Sequence, residues 1–136
     1  MTELLEKLKK IDHEIEGEEF TQYGATYFFA FDVLEGAADD LSILEKYFME
    51  LELSPPLNKI SLMEIDDPQG NMNKIATQFH FAPEPSQLLC EIAKNEGGYY
   101  KVCEDGDCLS RGNLMDIFRI IKDGKDMIVL WFYLCD

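Results

Sequence analysis

Residues 127–135 read MIVLWFYLC, nine consecutive apolar or aromatic side chains. A membrane-crossing helix needs about 20 such residues, so this run is far too short to span a bilayer. It carries no helix-capping residue, follows Lys125-Asp126, and is rich in the β-branched and aromatic types that pack well on a pleated surface. A strand with one wet face alternates apolar and polar residues, and this one does not. It is therefore predicted to be a strand buried on both faces, which requires other elements to cover both sides of the sheet.

With 136 residues the chain is read as one domain, 1–136, long enough to enclose a core. The charge is lopsided, with 27 acids against 12 bases and a net charge of −15. Such a surface repels nucleic acid phosphates and anionic membranes, and favours a basic partner. The opening segment TELLEKLKKIDHEIE is a charged amphipathic pattern rather than a signal peptide. A cytoplasmic protein is expected, consistent with Cys90 and Cys135 lying in apolar surroundings as reduced thiols do.

Leu4, Leu8, Ile11 and Ile15 recur at helical spacing between Thr2, a candidate cap, and Gly17. Residues 26–34 read as a strand whose aromatics on both faces predict a central position. Glu35-Gly36 turns the chain. Asp39 or Asp40 then caps a helix with Leu41, Leu44, Phe48 and Leu51 as its stripe, ended by Ser54-Pro55-Pro56. Residues 57–65 and the alternating segment 74–81 are predicted to form a hairpin across the turn-rich 66–73. A helix over 86–95 ends at Gly97-Gly98. Asp105-Gly106 joins two short strands, 99–104 and 107–110. Asn113 is predicted to cap a further helix, with Leu114, Ile117, Phe118 and Ile121 as its stripe and Gly124 at its end. The resulting expectation is an α+β fold. Residues 25–104 form a ferredoxin-like βαββαβ plait, flanked by an N-terminal helix and a C-terminal β-α-β extension.

Chemical motifs are sparse. Cys103 and Cys108 are not a C-x-x-C knuckle, although with His80 they offer two thiols and an imidazole of the kind zinc takes. Asp66, Asp67, Asn71 and Asn73 gather oxygen ligands without EF-hand spacing. His80 opposite Glu64 on the predicted hairpin is the one acid/base pair that can be constructed. There is no P-loop, dinucleotide-binding glycine motif or nucleophile elbow, and basic residues are scattered singly. No enzyme activity, metal, cofactor or direct nucleic acid contact is expected.

What stands out is the acid. Asp12, Glu14, Glu16, Glu18 and Glu19 fall close together, and Glu35, Asp39 and Asp40 open the second helix. Carboxylates so clustered can occupy the basic cleft of a toxin or nucleic-acid-handling protein with steered association. The expectation is a small acidic inhibitor of immunity-protein or antitoxin type. The alternative is a ligand-binding regulatory module. Residues 31–48, FDVLEGAADDLSILEKYF, resemble the strand, glycine turn and helix of amino-acid-binding regulatory domains, which implies a ligand near Gly36 and a homodimer.

Overall fold

A computed structural model describes residues 2–16, 20–22, 25–36, 39–51, 60–95, 97–102 and 115–135. Its elements in chain order are α1 (Thr2–Glu16), β1 (Phe20–Gln22), β2 (Ala25–Leu34), α2 (Asp40–Glu50), β3 (Met63–Glu64), α3 (Pro68–Gln78), α4 (Pro83–Ala93), β4 (Tyr99–Lys101), β5 (Met115–Asp123) and β6 (Asp126–Cys135). The strands form one sheet in the order β1-β2-β6-β5-β4-β3. Every neighbouring pair is antiparallel.

The apolar run at 127–135 is a central strand, as its composition requires. Met127 to Phe132 are all buried, and so are Ile117 to Ile121 on the adjacent β5. Alternate residues feed two separate cores. Ile128, Leu130 and Phe132 join Ile117, Ile121 and Phe29 beneath Leu8 and Ile11 of α1, Ile75 of α3, and Leu89 and Ile92 of α4. Met127, Val129 and Trp131 join Phe118 and Ile120 against Leu44 and Phe48 of α2. Three helices therefore cover one face and α2 covers the other. At about 1.5–3 kcal/mol per large apolar side chain, burial of this strand alone contributes on the order of 10 kcal/mol. That matches the whole net stability of an ordinary domain.

The α+β class stands, with the plait corrected by the element order. Between residues 25 and 101 the order is β-α-β-α-α-β, and no strands pair in parallel among the described residues. The predicted strand at 74–81 is instead the end of α3 and its cap. Asp67 accepts a hydrogen bond from the Gly70 amide, and Pro68 takes the first helical position, where its missing N–H costs nothing. Met72, Ile75, Ala76 and Phe79 then recur at helical spacing and are buried. His80 adopts φ +58° just past the helix. Its amide bonds to the Thr77 carbonyl and that of Phe81 to Ala76, a complete Schellman stop.

The helix predicted from Asn113 is also corrected. Met115–Asp123 is strand β5, so the described part of the C-terminal extension is β-β where α-β was expected, and the strand predicted at 107–110 lies outside the described residues. Apolar residues at 117, 118, 120 and 121 fit a helical stripe and a two-sided strand equally well. Gly124, with φ +64°, is the first central residue of the tight β5–β6 turn rather than a helix stop. This is where a type II′ hairpin places glycine. The Asp105-Gly106 turn, Cys103 and Cys108 lie outside the described residues. Thr2 belongs to α1 itself, which leaves the cap position before it.

The position of β2 differs too. Its aromatics on both faces predict a central strand, yet among the described residues only β1 lies outside it, pairing Phe20–Gln22 with Ala25–Tyr27. Beyond Tyr27, β2 is bonded to β6 along one side.

Candidate partner-binding surface

The end of β2 and helix α2 form a single acidic corner. The even-numbered residues of β2 face α2: Ala30 and Leu34 pack in the α2 core, and the Asp32 carboxylate between them accepts a hydrogen bond from the Tyr47 hydroxyl. Glu35 follows in the turn and is exposed, and Glu50 is exposed at the far end of the helix. Between them runs a shallow groove of about 240 Å³, lined by Val33, Leu34, Ile43 and Tyr47 with Glu35, Lys46 and Glu50. Met49, also on α2, is 66% exposed, the one large apolar side chain so exposed among the described residues.

Two of the candidate acids here have structural duties. Asp39 is the N-cap of α2 and accepts from the Ser42 amide at 3.3 Å and hydroxyl at 3.4 Å. Asp40 sits 2.8 Å from Lys122 Nζ and ties the helix to β5. Gly36 is also structural. A Cβ there would stand 2.7 Å from the Lys125 carbonyl oxygen and 3.0 Å from Ile43, so glycine lets the end of β2 pass close to the β5–β6 turn. The groove lies beside it, lined by Leu34, Glu35 and Ile43.

The other candidate acids stand apart. Asp12, Glu14 and Glu16 are on α1, which packs on the opposite face of the sheet from α2. Leu4 and Lys7 border the same depression as Asp123, close to the Leu34 end of β2, whereas Glu16 is four residues from Phe20, which pairs with Tyr27. The acidic end of α1 and the start of α2 are therefore at opposite ends of β2 as well as on opposite faces. Glu18 and Glu19 lie outside the described residues. Two lysines of α1 are paired with α4: Lys7 lies 3.8 Å from Glu91 and Lys10 lies 2.9 Å from Glu84. Its hydrogen bond to the Glu84 carboxylate, helped by the charges of Glu84 and Glu14, raises the pKa of the Lys10 ammonium.

His80 and Glu64 do not meet. His80 packs edge-on against Tyr27 of β2 at 5.3 Å, while Glu64 is on β3 at the other margin of the sheet. Three strands intervene, or about 19 Å at ordinary strand spacing. Among the described residues no three His, Cys, Asp or Glu side chains gather as a metal site. None of the described helices is long and apolar enough to cross a membrane.

Two buried polar groupings were not evident from the sequence. Trp131 donates its indole N–H to Asp116 at 2.8 Å, and both are buried. On the other face, buried Arg119 donates to Asn71 Oδ1 at 3.1 Å, and the same oxygen accepts from the Tyr99 hydroxyl at 2.7 Å. Both groupings bind elements of the interior to each other. Asp32, which bonds to Tyr47 of the groove, carries one weak sequence signal: it is the single charge in a ten-residue strand.

No family model, curated protein or solved structure matches the chain.

Proposed function

We propose that this chain is a small acidic binding protein that neutralises a basic protein partner in the cytoplasm, in the manner of immunity proteins and antitoxins. The observation that carries the reading is the corner where Glu35 and Glu50 line a groove with Val33, Leu34, Ile43 and Tyr47, whose one cation is Lys46, while Asp32 accepts from the Tyr47 hydroxyl beside it. A lysine or arginine can lay its methylene stem in such a groove while its charged head meets carboxylates at the rim. A net charge of −15 adds long-range attraction, which raises the rate of encounter and is weakened by salt. Asp32, Asp39 and Asp40 add to the field but are engaged in the fold, so the contacts fall on Glu35 and Glu50. Asp12, Glu14, Glu16, Glu18 and Glu19 contribute to steering.

The test is retention of host lysate proteins on the immobilised chain, with elution by a salt gradient and repetition with Glu35→Lys/Glu50→Lys. The expected result is one basic protein, released by salt and lost or strongly weakened with the double reversal. Retention unaffected by salt and by both reversals would overturn the proposal.

A further inference from the structure

The outer side of β2 is an open sheet margin with the sequence of an interior strand. β1 covers Ala25 to Tyr27, and among the described residues nothing pairs outside Phe28 to Leu34. Those seven residues, FFAFDVL, extend about 23 Å and direct the amide and carbonyl groups of three or four residues outward. Natural sheets blunt such margins with lysine, proline, bulges or very short strands. The opposite margin follows the rule, since β3 is only two residues long. Here Asp32 is the one charge, and there is no proline or glycine. Burial carries the same message. Met127 to Phe132 of β6 are wholly buried, whereas from Phe28 to Leu34 only Phe29 is, and the flanking aromatics stay half-exposed. A strand composed to be covered on both sides is paired on one.

We infer that this margin receives one added strand from the basic partner, with Phe28–Leu34 supplying the backbone ladder and the groove beside Leu34 and Tyr47 receiving a Lys or Arg of that strand. This rests on the basic-partner reading and adds its binding mode. Strand addition takes affinity from main-chain hydrogen bonds and specificity from pockets for alternate side chains. The α2 groove lies alongside the margin and is lined by Val33 and Leu34 of the strand itself, so a side chain projecting from the added strand reaches it. Charge selects the occupant. Glu35 and Glu50 line the site, with Asp32 on the margin itself, and a second copy would bring its own charge of −15 to the same place. A cationic strand removes that repulsion and a second copy doubles it.

The experiment uses the full chain and, as probe, a short end-blocked peptide alternating Val with Lys or Arg, at about 1 mM so that weak binding registers. Amide exchange is followed residue by residue. The outward-directed amides among Phe28–Leu34 should exchange at least about tenfold more slowly with the peptide, and Glu35→Lys/Glu50→Lys should weaken binding by about tenfold or more at low salt. The same peptide N-methylated at alternate amides should not protect them, because it cannot complete the ladder. Equal effect of the N-methylated peptide would overturn the added strand. Protection confined to α1 or α4 would overturn the site and leave the basic-partner reading intact, and no protection anywhere would count against both. If the peptide-free chain sediments as a dimer with the outward-directed amides of 28–34 already protected, the occupant is a second copy and the proposal fails.

Discussion

Replacing Trp131 with phenylalanine tests the face of the sheet covered by α2. Trp131 is the only tryptophan, is 9% exposed, and stacks on Phe118 at 5.6 Å and on Tyr133 at 4.3 Å. Phenylalanine preserves an aromatic ring between those neighbours, so most of the apolar burial survives. Two losses remain. The smaller ring leaves unfilled volume worth about 1 kcal/mol. The indole N–H no longer reaches Asp116, whose side chain is 5% exposed, and a hydrogen bond to a carboxylate contributes about 1.5–3 kcal/mol. Trp131→Phe should therefore destabilise by about 2.5–4 kcal/mol. Urea unfolding followed by far-ultraviolet circular dichroism measures this, since the fluorophore is gone. A double-mutant cycle separates the losses: Asp116→Asn should cost about 1 kcal/mol more in the wild-type background than in the W131F background. A total below about 1 kcal/mol, or no coupling, would refute the placement of this pair in a closed core.

Gly97→Ala should destabilise by about 3 kcal/mol or more, measured by the urea midpoint, because its Cβ would fall 2.0 Å from the Lys122 carbonyl oxygen; a loss below about 1 kcal/mol would show that Gly97 does not pass so close to β5. His80→Gly should raise stability by up to about 1 kcal/mol by removing a side chain from a left-handed position, and a large loss would mean that the ring contact with Tyr27 outweighs the backbone relief. Burial pushes the Cys90 thiol above the usual thiol range, so Cys90 should alkylate far more slowly than Cys135 at mildly alkaline pH. In the unfolded chain this thiol ionises earlier, so it releases its proton while the folded chain keeps it, and stability should decline as pH rises through the ordinary thiol range. Equal alkylation rates at the two cysteines would contradict the buried placement.

What could be read from the letters follows from how each element is covered. α1 and α2 each have one wet face, so Leu4, Leu8, Ile11 and Ile15, and likewise Leu44 and Phe48, announce a helix without ambiguity. The run at 127–135 is buried on both faces and was legible because it is too uniformly apolar to be anything else. β5 is also buried on both faces, and there periodicity loses its meaning: Ile117, Phe118, Ile120 and Ile121 satisfy either period. At 74–81 a short accidental alternation competed with Asp67-Pro68, a start signal that in fact decided the structure. The margin at Phe28–Leu34 was invisible because a strand's neighbours are chosen by topology, which composition does not encode. The acids suffered from the reverse problem. Joining the acids of α1 to those that open α2 needs the turn after α1 to lie near the start of α2, and the sheet stands between the two helices.

The pairing of β2 with β6 joins Thr26 to Cys135 and Leu34 to Met127, partners about a hundred residues apart along the chain. The β5–β6 hairpin, by contrast, closes through two residues between Asp123 and Asp126. On a logarithmic scale of loop closure the distant pairing costs about 3 kcal/mol more entropy before its first contact is rewarded. The hairpin should therefore assemble early and β2 arrive late, giving slow refolding with little β2 structure at the barrier. During that interval two of the most apolar strands in the chain, β2 and β6, each wait for the other. The dense negative charge described for the surface then has a second use: it keeps half-folded copies from meeting while they wait.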